Sequence, residues 1–236
     1  MRWSSWLKFE AVVPRTNGMN YLLYVRNFED LSMKILSPGT LLAFILILAS
    51  PVHGATTILS DTNVWKYNTN GVDLGIGWRA NNYNDNGWAS GAGVFSVGAT
   101  LPSGTVVLTP LPLKNTNSIN LNTIYFRTHF NFTNDPVCVS ITASNLIDDG
   151  AVFYINGQEL ARNNISVGPV TYDATASSVI GNPVWKSFTF LPYLLQQGDN
   201  VIAVEVHQVN ATSTDMTFGH SLSINSLTPS TSLACR

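Results

Sequence analysis

The stretch DDGAVFYINGQELAR, Asp148 to Arg162, carries the reading that decides the fold. Ala151, Phe153 and Ile155 alternate with Val152 and Tyr154, and side chains two apart on a strand share one face of a sheet. Asn156-Gly157 then supplies the two positive-φ positions that a two-residue type I′ turn requires. The stretch reads as a β-hairpin entered through Asp148-Asp149-Gly150. Its adjacent carboxylates raise a second question, because paired acids can act as general acid and base. Glycoside hydrolysis needs two carboxyl groups flanking one bond, about 5–5.5 Å apart in retaining enzymes and about 6.5–9.5 Å in inverting ones. Sequence neighbours meet that only fortuitously. Loop aspartates more commonly accept backbone N–H bonds and shape a turn, and pairs of them can hold Ca²⁺ through oxygen ligands. Asp148 and Asp149 are therefore read first as turn formers, then as ligand or calcium contacts, and last as catalysts.

Working outward, the same period of two recurs. In IYFRTHFNF, Ile124, Phe126, Thr128, Phe130 and Phe132 share one face, leaving Tyr125, Arg127, His129 and Asn131 on the other. NVIAVEVHQV turns Ile202, Val204 and Val206 inward and Ala203, Glu205 and His207 outward. DMTFGHSLSI groups Met216, Phe218, His220, Leu222 and Ile224. VCVSITAS and SFTFLPYLL read as further strands. Turn residues separate these short segments, and no convincing helical stripe interrupts them. Many short strands at this spacing predict an all-β antiparallel sandwich.

Upstream the pattern changes. Met33-Lys34 gives a basic start, Leu41 to Ala49 an apolar core, and Val52-His53-Gly54 a small-residue exit. Residues 33–54 thus read as a secretory signal peptide cleaved near Gly54-Ala55, with an apolar run short of the ~20 residues needed to span a bilayer. Residues 1–32 lack periodicity and read as an upstream extension outside the structured protein, with translation starting at Met33. The remaining 55–236 has the length of one domain. It holds seven Lys and Arg against eleven Asp and Glu. With no basic stripe to neutralise phosphates, nucleic acid is not an expected partner, nor is stable membrane insertion after cleavage. Asn131, Asn164 and Asn210 each begin a glycosylation sequon. Cys138 and Cys235 are expected to form one disulfide in an oxidising compartment, a buried thiol and a free tail thiol being the alternative.

Taken together, DDGAVFYINGQELAR, the later NVIAVEVHQVNATSTDMTFG, the earlier DLGIGWRANNYNDNGWASGAGVFSVG and the strand YFRTHFNF resemble one module of extracellular multidomain proteins. That module is a galactose-binding-domain-like jelly roll. The sugar-binding domains of glycoside hydrolase family 2 share a looser version of the order. The resemblance covers nearly all of 60–226. It implies a non-catalytic β-sandwich, often appended to hydrolases or surface proteins and credited with carbohydrate binding. With no hydrolase domain following, the module is expected to act alone behind its signal peptide.

The candidate site residues follow from parity. Glu205 and His207 share the outward face of one strand, and Arg127 and His129 that of another. If the strands are neighbours, the four form a polar patch such as sugar-binding sandwiches display; a charge-paired, solvated face explains them equally well. Trp78 and Arg79 lie in a loop-rich segment with Tyr83 and Trp88, where exposed aromatics can stack on sugar faces. Trp88 is expected to be structural, and Trp78-Arg79 is left open between the two roles. His220 has core parity and is expected to be a hydrogen-bonded core histidine. No nucleophile elbow, zinc motif or phosphate loop is present. The leading expectation is a secreted, non-catalytic module binding carbohydrate at a cell surface or in a matrix, requiring no cofactor beyond a possible Ca²⁺. A structural or adhesive glycoprotein with a protein partner comes second, and a hydrolase using Asp148, Asp149, Glu205 and His207 third.

Overall fold

The structure, a computed structural model, describes residues 55–134 and 139–226. The expected signal peptide, the upstream stretch and both cysteines lie outside the described residues. The alternating segments become strands: β1 (Thr56–Leu59), β2 (Val64–Asn68), β3 (Ala89–Ala92), β4 (Phe95–Val97), β5 (Thr109–Pro110) and β6 (Thr123–Phe132). They continue as β7 (Val139–Asp148), β8 (Gly150–Ile155), β9 (Gln158–Asn163), β10 (Lys186–Phe190), β11 (Gly198–His207) and β12 (Met216–Ser226). One sheet runs β10-β7-β12-β4-β5, with β1 also paired to β12; the other runs β3-β2-β6-β11-β8-β9. All pairings are antiparallel except β4 with β5. The result is an all-β sandwich of jelly-roll type.

The sandwich core forms where the alternation put it. Ile124, Phe126, Phe130 and Phe132 of β6 meet Ile202, Val204 and Val206 of β11 and Met216, Phe218, Leu222 and Ile224 of β12. His220 shares that interior, 1% exposed, with Nδ1 2.6 Å from Asn145 Oδ1. Burial lowers its pKa to about 3, so it is neutral. The opening hairpin is also confirmed. Ile155 pairs with Gln158 across Asn156 (φ 50°) and Gly157 (φ 86°), both left-handed as type I′ demands. Asn156 fixes the turn further by donating to Leu194 O at 2.9 Å and accepting from Val201 N at 2.9 Å.

Two expectations change. SFTFLPYLL is a strand only to Phe190, since Pro192 follows and cannot donate to a ladder. Asp148-Asp149 is also no open loop. Asp148 ends β7 in one sheet and Gly150 begins β8 in the other, so the acids form the corner where the chain changes sheets.

Candidate functional site

The outward faces of β6, β11 and β8 bring the expected residues together, as parity predicted. Glu205 pairs across from Tyr125 on one side and Val152 on the other, and Ala203 from Arg127 and Tyr154. The open polar patch, however, is corrected: Arg127 and His207 are 0% exposed and Glu205 is 1% exposed. A second layer covers this face. Trp78 and Trp88 from the first long connection and Tyr172 from a later one close over Tyr125, Val152, Tyr154 and Ala203 as a smaller apolar core.

Trp78 sits in a short 3₁₀ turn, Gly77–Arg79, and its ring meets Tyr125 edge-on at 4.8 Å. It is fully buried. Stacking of Trp78 on a sugar is thereby excluded in this conformation, and Trp88, 9% exposed, has the structural role expected of it. Arg127 holds the cover down. Its Nε donates to Asp85 Oδ2 at 2.9 Å, and its Nη1 donates to Ala80 O at 2.9 Å and to Trp78 O. Arg79 lies on the ring of Tyr154 and donates from Nη2 to Glu205 Oε1 at 3.2 Å. Tyr154 Oη donates to the same oxygen at 2.5 Å. Burial, and after it the Glu205 charge, push the Tyr125 and Tyr154 phenols well above their usual range, so both stay protonated donors.

His207 completes the cluster. The carbonyl of Ala174 lies 2.9 Å from its Nδ1 and can only accept, so Nδ1 carries the hydrogen. Its Nε2 faces Glu205 Oε2 at 3.4 Å. His129 stands apart, paired at the surface with Asp199 at 2.9 Å. Of the eight expected contact residues, Arg79 and His129 reach solvent; Trp78, Arg127, Asp148, Asp149, Glu205 and His207 do not.

At the sheet-changing corner the two acids differ. Asp149 accepts from Ile180 N at 2.7 Å and from Val209 N at 2.8 Å. Both its oxygens are thus spent on amides, which fits turn formation in kind although the donors are distant in sequence. Asp148 is 0% exposed and neither oxygen has a partner. Burial first, then the charges of Asp215 and Asp149, raise its pKa to about 8. Among the described residues no group of three or more His, Cys, Asp or Glu is arranged to hold a metal ion.

Sequence reasoning missed the opposite side of the molecule. A groove of about 370 Å³ opens there, lined by Thr57, Ser60, Asp61, Ser144, Trp185 and Ser221. Trp185 is half-buried beside Gly219, where an added Cβ would come within 2.9 Å of its Cη2. Glycine at that position leaves room for the ring against β12. The available signal was the repeated Ser/Thr alternation in VSITAS and SLS, which reading for apolar parity passed over.

No protein-family model matches the chain, and no curated protein matches it. Among solved structures it is similar to a beta-glycosidase from Bacteroides vulgatus, at 17% identity and TM-score 0.43, over 72% of this chain and 20% of that one. A glycosyl hydrolase family 2 member from Bacteroides cellulosilyticus matches at 16% identity and TM-score 0.48, over 72% and 20%. An uncultured Clostridium sp. beta-glucuronidase matches at 10% identity and TM-score 0.43, over 74% and 29%. The chain spans about a fifth of the length of the first two. The sandwich assignment rests on the strand order and register above.

Proposed function

We propose that this chain is a non-catalytic extracellular binding module whose ligand is carbohydrate. The observation that carries the reading is the state of its carboxylates. A glycosidase needs two carboxyl groups that reach one substrate bond. Glu205, Asp148 and Asp149 are each at most 1% exposed, and Glu205 and Asp149 are already bound by protein donors. What faces solvent in a concave site is one indole, one carboxylate and several hydroxyls. An aromatic surface beside neutral hydrogen-bonding groups suits a pyranose, with its apolar face and ring of hydroxyls. Secretion is part of the proposal, supported by the tripartite segment 33–54 and by exposed sequons at Asn131 and Asn210.

The test is a glycan array probed with protein recovered from the medium of a secretory host, with and without Ca²⁺. A broad glycosidase and esterase panel is run on the same sample. Binding to a defined set of glycans without turnover is expected. Turnover of any substrate by the purified, folded protein would reverse the reading in favour of a hydrolase.

A further inference from the structure

The solvent face of the β10-β7-β12-β1 sheet carries hydroxyl groups in register. Ser187 of β10 pairs across from Ser144 of β7, which pairs across from Ser221 of β12. Two residues further along β7, Thr189, Thr142, Ser223 and Thr57 continue across four strands. Ser140 and Asn225 begin a third row. Adjacent strands lie about 4.8 Å apart and alternate residues about 6.8 Å apart, so the groups make a two-dimensional grid.

Neighbours in the grid orient one another. Ser144 Oγ and Ser187 Oγ are 2.7 Å apart, Thr142 Oγ1 and Thr189 Oγ1 3.1 Å, and Asn225 Nδ2 donates to Thr142 Oγ1 at 2.8 Å. A hydroxyl has one donor and two acceptor sites, so each paired group keeps capacity for a ligand. No member of the rows is charged. At one end the grid meets the groove with Trp185 and Asp61.

We propose that this face is a binding platform for an extended, neutral polysaccharide, seated with one sugar on Trp185 and its chain running over the hydroxyl rows. The proposal rests on the carbohydrate reading above and adds the site and the ligand class to it. The choice of occupant follows from complementarity. Uncharged rows dense in donors and acceptors match a chain of sugar hydroxyls. The rows themselves offer no cation to a polyanion, and Asp61 in the groove repels one. A protein partner would instead require apolar anchors, and the rows contain none.

The experiment is affinity electrophoresis of the secreted protein through gels containing mixed-linkage β-glucan, xyloglucan or galactomannan, with polygalacturonate as the anionic control. Wild type should be retarded by at least one neutral polymer and not by polygalacturonate. The variant Thr142→Val/Ser144→Ala/Ser223→Ala keeps small residues at these half-buried positions and should melt within a few degrees of wild type. It should bind at least tenfold more weakly, as should Trp185→Ala. Unchanged retardation of the folded triple variant overturns the platform while leaving the carbohydrate reading intact. Retardation by none of the neutral polymers, with glycans bound on the array, also overturns it; silence in both assays overturns the two together. A wild-type dimer dispersed by Ser144→Glu would show a second copy on this face and overturn the platform as well.

Discussion

The guanidinium of Arg79 lies 4.0 Å above the ring of Tyr154. Both residues donate to a single carboxylate oxygen of Glu205. A planar cation on an aromatic face, with its edge on a carboxylate, is a geometry that arginine supplies and lysine does not. Because Arg79 ends the 3₁₀ turn, this contact ties the covering connection to the middle of the sheet.

Removing the carboxylate should therefore damage the fold. Glu205→Gln leaves Arg79, with its side chain 14% exposed, without its counter-charge. Breaking a buried pair from one side costs about 3 kcal/mol, and urea unfolding should show a loss of that order. A loss below ~0.5 kcal/mol, the scale of an ordinary surface change, would mean the pair is solvated in solution and the face open.

Parity was legible in the sequence, and the cover was not. Alternation fixes which side of a sheet Glu205 and His207 occupy, but says nothing about what lies on that side. The covering contacts join residues far apart, 126 positions for Arg79 with Glu205 and 42 for Arg127 with Asp85, from connections without any period. The hairpin was readable because Asn156-Gly157 encodes its turn locally. The hydroxyl rows fall between these cases. Each strand shows its own Ser/Thr alternation, but only the order β10-β7-β12 makes them neighbours.

Asp148 gives a pH dependence. Its folded pKa of about 8 stands above the ordinary 3.8, so the folded state binds the extra proton between those values. Stability from this group is full below about pH 4, falls as pH rises, and is fully lost above about pH 8. Asp148→Asn is neutral throughout. Its melting temperature should match wild type near pH 4 and exceed it at pH 9, the gap widening steadily as pH rises between those values. A gap that stays constant across that range would assign Asp148 an ordinary pKa.

The three sequons should not be equally occupied. Asn164 Nδ2, the atom that would carry a glycan, donates to Asp149 O at 3.0 Å and Ser178 O at 2.6 Å. Asn131 and Asn210 are exposed. Intact-mass and peptide analysis of protein secreted from a glycosylating host should find glycan at Asn131 and Asn210 and none at Asn164. Full occupancy at Asn164 would show that its connection is arranged differently in the secreted protein. The variant Asn164→Ala should be destabilised by about 1–2 kcal/mol, since it removes these two bonds and the one Asn164 Oδ1 accepts from Ser178 Oγ, and puts alanine at φ 56°.

Arg127 permits the sharpest test of the covering layer. Its guanidinium is buried and reaches Asp85 through Nε while Nη1 serves the carbonyls of Trp78 and Ala80. Three acceptors on one connection are thus held by one planar fork. Arg127→Lys keeps the charge but replaces the fork with a single ammonium on a shorter reach. It can satisfy one of those partners well, and leaves the others short of a donor at about 1–3 kcal/mol each. The sandwich core on the far side of β6 is untouched by the change, because Phe126 and Thr128 face the other way. Amide exchange should therefore accelerate first within residues 76–88, by tenfold or more, while β6, β11 and β12 keep near wild-type protection. If protection falls evenly over both sheets, Arg127 supports the whole sandwich and not its cover. If residues 76–88 exchange as slowly as in wild type, the aromatic contacts of Trp78 and Trp88 hold the layer without it.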